Sequence, residues 1–256
     1  MSTIFRAFFE KNETFSLFTR ACIFCLQVHN TFSMRKRLSF LCNLAVPFCA
    51  FLGLIASFVY AKRDGYSHWL RRATYFTAQS NLWVGIVFLS LLLSKLYHGE
   101  KRAKLNRFLY VAKYVVTVSI TATGLIFCLV LGPFADESYH PWSYSSLLTH
   151  LITPALCIVD FFLDEYRTPL CLRHCFLAVL PPFFYVLTAS ALGFLSFDFG
   201  RGVPYPYFFL NFHSPAGVFG FSNVFPFFVG SAYWILLFGA VIFMIAYVYA
   251  RVTKTN

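Results

Sequence analysis

The sequence predicts an all-α integral membrane protein, with six transmembrane helices in one bundle and an amphipathic amino-terminal segment before them. Three observations predict it. Of 256 residues, 59% are apolar and only 12% are charged, whereas a soluble domain carries roughly a quarter of its residues as charges. The mean hydropathy is +0.66, so lipid must replace water as solvent over most of the surface. The apolar runs are long and continuous, matching the roughly 20 residues a helix needs to cross the hydrocarbon, while barrel strands would be about half as long and alternate in polarity.

Residues 1–38 read as a cytoplasmic or interfacial arm. Aromatics there alternate with Arg6, Lys11, Arg20 and Arg35, and Phe15, Phe18 and Cys22 share one helical side, the pattern of a helix lying in the membrane interface. No basic start is followed at once by an apolar core and a small-residue cleavage site, so the segment does not read as a signal peptide. The transmembrane domain is expected over residues 39–250, with a short tail at 251–256. Its spans are expected at 39–61, 75–97, 109–131, 147–163, 171–197 and 224–250. Arg35-Lys36-Arg37 precedes the first span and assigns the amino terminus to the cytoplasm; an even count then returns the carboxyl terminus to the same side. The connection bearing Lys101, Arg102, Lys104 and Arg107 falls inside on this scheme, and residues 133–146, with Asp136 and Glu137 but no lysine or arginine, fall outside. Lys62, Arg63, Arg71 and Arg72 also fall outside, against the positive-inside trend. The loop at 198–223 is rich in Gly, Pro and aromatics; it reads either as re-entrant or as the cover of a cavity mouth.

The net charge of +11 does not point to nucleic acid. Its basic residues sit in short groups beside apolar runs, where anionic headgroups and topology signals place them. The cysteines read as small apolar residues. Cys22 and Cys25 have a metal-like spacing, but no second pair joins them, so no metal is expected. No nucleotide, flavin or haem fingerprint occurs, and no cofactor is expected.

Polar residues inside spans carry the functional signal, because lipid makes them costly. Tyr75-Phe76-Thr77-Ala78-Gln79-Ser80-Asn81 opens the second span. Thr77, Ser80 and Asn81 fall three and four residues apart and share a helix face, which reads either as glue between helices or as part of a site. His150 opens the fourth span in Leu148-Thr149-His150-Leu151-Ile152-Thr153-Pro154. Pro154 has no amide hydrogen, so the carbonyl of His150, four residues back, loses its helical partner. The second and fourth spans begin on the same side, which puts Thr77 and His150 each about three residues into a helix. At about 1.5 Å of rise per residue they share a depth to within one turn. If the two helices touch, His150 can take the threonine proton while the hydroxyl attacks an acyl carbon. Gln79, Ser80 and Asn81 are the candidate oxyanion donors. Asp198 either orients the histidine or marks the membrane boundary; His213, with Asn211 nearby, reads as a rival base, a lid contact or a solvent-facing residue. His140, in the aromatic stretch Tyr139-His140-Pro141-Trp142, reads as interfacial. Lys113 and Asp160 have matching depths at the other membrane edge and read as a structural ion pair, with a proton or ion path as the alternative. Pro181 and Pro182 interrupt the fifth span and leave open a kink with or without a pocket.

Tyr75-Phe76-Thr77-Ala78-Gln79-Ser80-Asn81, followed by Thr149-His150 with Pro154 and Asp160, resembles the bacterial six-span membrane proteins related to the androgen-induced and androgen-dependent TFPI-regulating proteins. The likeness covers roughly residues 40–250 in span pattern and is specific in two short stretches. The animal relatives are threonine hydrolases of fatty acid esters of hydroxy fatty acids. The resemblance therefore implies Thr77 as nucleophile and His150 as its histidine, in a bacterial cytoplasmic membrane. Gln79-Ser80-Asn81 follows the bacterial branch, while Phe161 stands after Asp160 where that branch commonly has tryptophan.

The expected function is thus an intramembrane lipid-ester hydrolase, with a membrane lipid or lipid ester as partner. The other readings are a non-enzymatic lipid-binding or transport protein, and a membrane scaffold in which every polar residue above is packing.

Overall fold

The computed structural model describes residues 13–94, 99–134, 142–164, 167–200 and 202–253, and of residues 13–33 and 99–102 the backbone alone. The expectations on the side chains of Cys22, Cys25, Lys101 and Arg102, and on Asp136, Glu137 and His140, lie outside the described residues.

Among the described residues, six helices are long and apolar enough to cross a membrane. We label them α1 (Glu13–Val59), α2 (Phe76–Ser94), α3 (Gly99–Ile126), α4 (Tyr144–Leu163), α5 (Leu172–Phe194) and α6 (Ser231–Val252). The chain is a multi-pass membrane protein with an all-α fold; among the described residues the one extended pairing is an isolated antiparallel bridge between Phe221 and Val229. Phe48, Ile55, Leu93, Phe176, Phe184, Leu236 and Met244 are each more than half exposed on the helix exteriors, a distribution that lipid solvates without cost.

Helix ends follow local chemistry. From Glu13 onward the arm and the first span form one unbroken helix of 47 residues, and Pro47 does not interrupt it. Pro181 and Pro182 likewise lie within a continuous α5. That helix ends three residues before the expected boundary because Ser196 takes a left-handed conformation at φ +56°. The Phe197 N–H then bonds the Leu192 carbonyl and the Ser196 N–H the Gly193 carbonyl, both at 3.0 Å, the Schellman arrangement that satisfies terminal carbonyls. α6 starts at Ser231, seven residues later than expected. The preceding stretch is held as a turn by Ser222 N–H to the Phe228 carbonyl (3.0 Å) and Gly230 N–H to the Gly220 carbonyl (2.9 Å).

α3 is the central helix: 61% of its most apolar stretch is buried within the protein, against 28% in α5 and in α6. It packs on α2, α4, α5 and α6, while α1 packs on α2 and α4. One core, at one end of the bundle, joins Tyr110, Tyr114 and Val118 of α3 to Phe161, Cys175, Ala246 and Tyr249. A second, at the other end, joins Phe76, Tyr185 and Ala189 to Phe199, Phe209 and Leu210 of the loop after α5. That loop therefore folds onto the helices as a cap.

The end opposite the cap carries a buried charge cluster. Lys113, fully buried in α3, lies 2.5 Å from Asp160 of α4 and 2.6 Å from Asp164, which caps the end of that helix. Asp160 Oδ1 accepts from Ser39 Oγ (2.8 Å) and Asn43 Nδ2 (2.7 Å) of α1. Three helices are thus tied through one carboxylate.

Candidate active site

α2 begins immediately after a 3₁₀ turn, Trp69–Thr74, whose last N–H contact comes from Tyr75 to the Arg72 carbonyl. Thr77 is the second residue of α2, where backbone N–H groups have no partner inside the helix. Its N–H donates instead to the hydroxyl of Tyr207 at 3.4 Å. Its side-chain Oγ1 lies 3.2 Å from Nε2 of His150.

His150 is placed by an irregularity of α4. Ser143 caps the helix, its hydroxyl accepting from the Ser146 N–H, so that α4 opens at Tyr144, three residues before the expected boundary. Leu148–Ile152 forms a π-helical turn, a single-turn bulge of the kind frequent at functional sites. The sequence points to the His150 carbonyl as the orphan created by Pro154. The π register moves the loss one residue back. The Thr153 N–H reaches the Leu148 carbonyl and Pro154 has no N–H, which leaves the Thr149 carbonyl without a helical donor. Asn81 Nδ2 supplies one at 3.1 Å, and the same amide holds the Thr77 carbonyl at 2.9 Å. One buried side chain thus fixes the spacing between the segments that carry Thr77 and His150. Replacing Asn81 with leucine is expected to cost about 1–3 kcal/mol for the Thr149 carbonyl left without a donor, while the Thr77 carbonyl keeps Ser80 Oγ; detergent-induced unfolding reads the loss.

Nδ1 of His150 lies 3.1 Å from the Ser146 carbonyl, 3.1 Å from Ser146 Oγ and 3.2 Å from Thr149 Oγ1. A carbonyl can only accept, so Nδ1 carries the proton and Nε2 presents its lone pair to Thr77. The ring is clamped from one face by Phe127, stacked at 3.9 Å between centroids and 17° between planes. Phe127 opens the π-helical turn Phe127–Leu131 that ends α3. Close approach of the neighbouring helices is permitted by two glycines: a Cβ on Gly124 would sit 2.9 Å from the His150 carbonyl oxygen, and one on Gly53 would sit 2.8 Å from Thr149 Cγ2.

Thr77 and His150 share the wall of a cavity of about 510 Å³. Leu54 and Ser57 of α1, Leu131 and Phe134 after α3, Ser145, Ser146 and Thr149 of α4, and Val203 with Tyr205 to Phe208 of the capping loop complete much of it. Arg63, Asp64 and Arg72 form a charged sector. Arg72 is paired with Asp64 and donates to Ser57 Oγ at 3.3 Å; its guanidinium lies 4.4 Å over the Tyr66 ring. Arg71 lies 4.2 Å over Phe197. Part of the basic connection that runs against the positive-inside trend is therefore committed to the walls and cap of this end.

Of the other residues singled out in the sequence, Ser80 is buried and bonds the Thr77 carbonyl (3.2 Å) and Thr123 Oγ1 (3.1 Å), so it supports α2 and does not face the cavity. Gln79 is turned away, its amide reaching the Ala73 carbonyl at 3.4 Å. Asp198 does not orient His150: its carboxylate accepts from the Gly200 and Gly202 N–H groups at 2.7 and 3.1 Å, and the Ser146 carbonyl takes the orienting position. Asn211 Oδ1 accepts from the His213 N–H at 3.1 Å, while the exposed His213 ring meets the edge of Phe194; neither lines the cavity. Sequence reasoning passed over Ser146, Phe127 and Tyr207. For Ser146 the run Ser143-Tyr144-Ser145-Ser146 ahead of His150 was a usable capping signal; for Phe127 and Tyr207, in a chain with 34 phenylalanines and 15 tyrosines, none stood out. Among known proteins, no family model, curated sequence or solved structure matches this chain.

Proposed function

We propose that the protein is a membrane-embedded carboxylic ester hydrolase acting on lipid esters, with Thr77 as nucleophile and His150 as general base. The observation that carries this reading is the 3.2 Å contact between Thr77 Oγ1 and Nε2 of His150 on the wall of a cavity of about 510 Å³. A threonine hydroxyl is a weak nucleophile unless a base takes its proton as it attacks. Here the base is held in the required tautomer by the Ser146 carbonyl and in orientation by Phe127. The position of Thr77 at the start of α2 adds the positive end of the helix dipole beside the oxygen that becomes charged. Acyl chains need little more than apolar surface, while the ester needs a few convergent polar groups; Leu54, Leu131 and Phe134 stand beside the hydroxyls of Ser145 and Thr149 in this cavity. The resemblance to the threonine hydrolases supports the same two residues and, by its bacterial branch, a bacterial cytoplasmic membrane. With both termini cytoplasmic, the cavity faces the outer leaflet.

An alkyl fluorophosphonate tests the pair directly. Attack by Thr77 on phosphorus expels fluoride, so the expected product is a single adduct on the peptide containing Thr77, lost in His150→Ala. A fluorophosphonate that leaves Thr77 unmodified, together with no Thr77-dependent ester hydrolysis, sinks the reading. The charged sector at Arg72 and Asp64 favours a second reading, a lipid-headgroup receptor without chemistry. Under that reading, lipid binding is the same in wild type and Thr77→Ala, and neither turns over ester.

A further inference from the structure

A threonine attacking an ester leaves negative charge on the carbonyl oxygen, and the donors the sequence offered for it are spent elsewhere. Ser80 serves the Thr77 carbonyl and Thr123, Asn81 serves two carbonyls, and Gln79 reaches Ala73. Even the Thr77 N–H is directed at Tyr207. Tyr207 lines the cavity beside both Thr77 and His150. A phenol carries one donor hydrogen and two acceptor lone pairs; Tyr207 accepts from the Thr77 N–H through its oxygen and has its own hydrogen to give, with the Thr77 and Tyr185 hydroxyls as its neighbours until an ester carbonyl arrives beside Oγ1.

We propose that Tyr207 is a catalytic residue of this site, its phenol O–H donating to the ester carbonyl oxygen as Thr77 attacks, so that the capping loop completes the oxyanion site. The inference rests on the hydrolase reading above. Thr77 Oγ1 bonds to the carbonyl carbon, the hydroxyl proton passes to His150 Nε2, and the C=O pair moves onto the oxygen that Tyr207 holds. Collapse restores the carbonyl and breaks the bond to the departing alkoxide, which takes the proton back from His150. Water then repeats the sequence on the acyl-threonine and frees the acid.

The phenol is suited to the task in two ways. Its ring is fixed by Phe209, stacked at 5.1 Å and 12°, and by the edge contact of Tyr75 at 5.6 Å. Tyr207 as a whole is half-buried, yet desolvation at its phenol end pushes it up to about 12, against the opposing pull of the Thr77 hydroxyl and N–H. It therefore stays a donor at neutral pH and tightens its hydrogen bond only as the carbonyl oxygen gains charge. Preorganised donors of this kind act on the transition state more than on bound substrate.

The test uses the full chain in lipid nanodiscs with p-nitrophenyl octanoate. Tyr207→Phe removes one oxygen; kcat is expected to fall about 10²–10³-fold, the usual loss for one oxyanion donor, with KM within about threefold. A second variant places 3,5-difluorotyrosine at 207, keeping the shape while lowering the phenol's ionisation range. Its kcat is expected to gain a descending limb with rising pH, as the donor becomes an anion, which a packing role does not produce. Thr77-dependent turnover that Tyr207→Phe leaves within threefold, or a difluorotyrosine profile that follows wild type, overturns the role of Tyr207 alone. Equal hydrolysis by wild type and Thr77→Ala overturns the hydrolase reading, and this inference with it. Should Tyr207→Phe not fold, the difluorotyrosine profile decides.

Discussion

Thr77→Ala is expected to cut ester turnover by at least about 10³-fold, and His150→Ala by a similar factor, with the double variant no slower than either single one. The non-additivity is the discriminating part. A nucleophile and its base act as one device, so removing either disables the other, and residual rate comes from the rest of the cavity. Two residues acting separately would give losses that multiply. Under the proposed hydrolase reading the coupled outcome follows, since Thr77 Oγ1 and His150 Nε2 lie 3.2 Å apart and Thr77 has no other base within reach among the contacts described. Both variants should unfold close to wild type, because the Asn81 bonds that hold α2 to α4 use backbone carbonyls and survive either truncation. Single-variant rates within tenfold of wild type, measured on folded protein, would remove the pair from the chemistry.

Lys113→Met is expected to destabilise the bundle by about 3–5 kcal/mol, the range for a buried charge stripped of its partner. Asp160 is wholly enclosed, and Lys113 is the cation beside it at 2.5 Å. Asp160→Asn added to Lys113→Met should recover most of the loss, since the amide needs no counter-ion and Ser39 and Asn43 remain at hand for hydrogen bonds. Detergent-induced unfolding of the two variants checks the sign and the recovery. Catalysis by protein that remains folded should be little changed, because the cluster occupies the end of the bundle opposite the cavity. A Lys113→Met protein as stable as wild type would mean that the carboxylate is relieved in some other way.

The spans were legible because hydropathy over about 20 residues is a strong signal that tertiary packing rarely overrides. Their ends were less so. Ser196 stops α5 through a backbone conformation that glycine usually marks, and the turn before α6 is as apolar as a helix, with Phe225, Phe227 and Phe228 in it. The match in depth of Thr77 and His150 was legible from counting residues along two helices. Their contact was not, because it depends on which helices neighbour each other and on two glycines that let them close. Asp198 shows the opposite error. Glycines two and four residues after it signal a carboxylate that folds back on its own loop, a reading local enough to outrank a distant histidine. Tyr207 was invisible for a different reason: its partner is a backbone N–H at a helix start, and side-chain patterns do not record such groups.

The π turn at Leu148–Ile152 makes the site a matter of phase. One residue in excess of the regular helical repeat separates the Ser143 cap from Pro154, and losing it would leave a perfectly good membrane helix with the same hydropathy. Everything ahead of the excision would swing by about 100° around the axis, carrying Ser145 and Ser146 out from behind the imidazole. A homologue shortened by a single codon there would keep its threonine and histidine and lose the carbonyl that holds the ring.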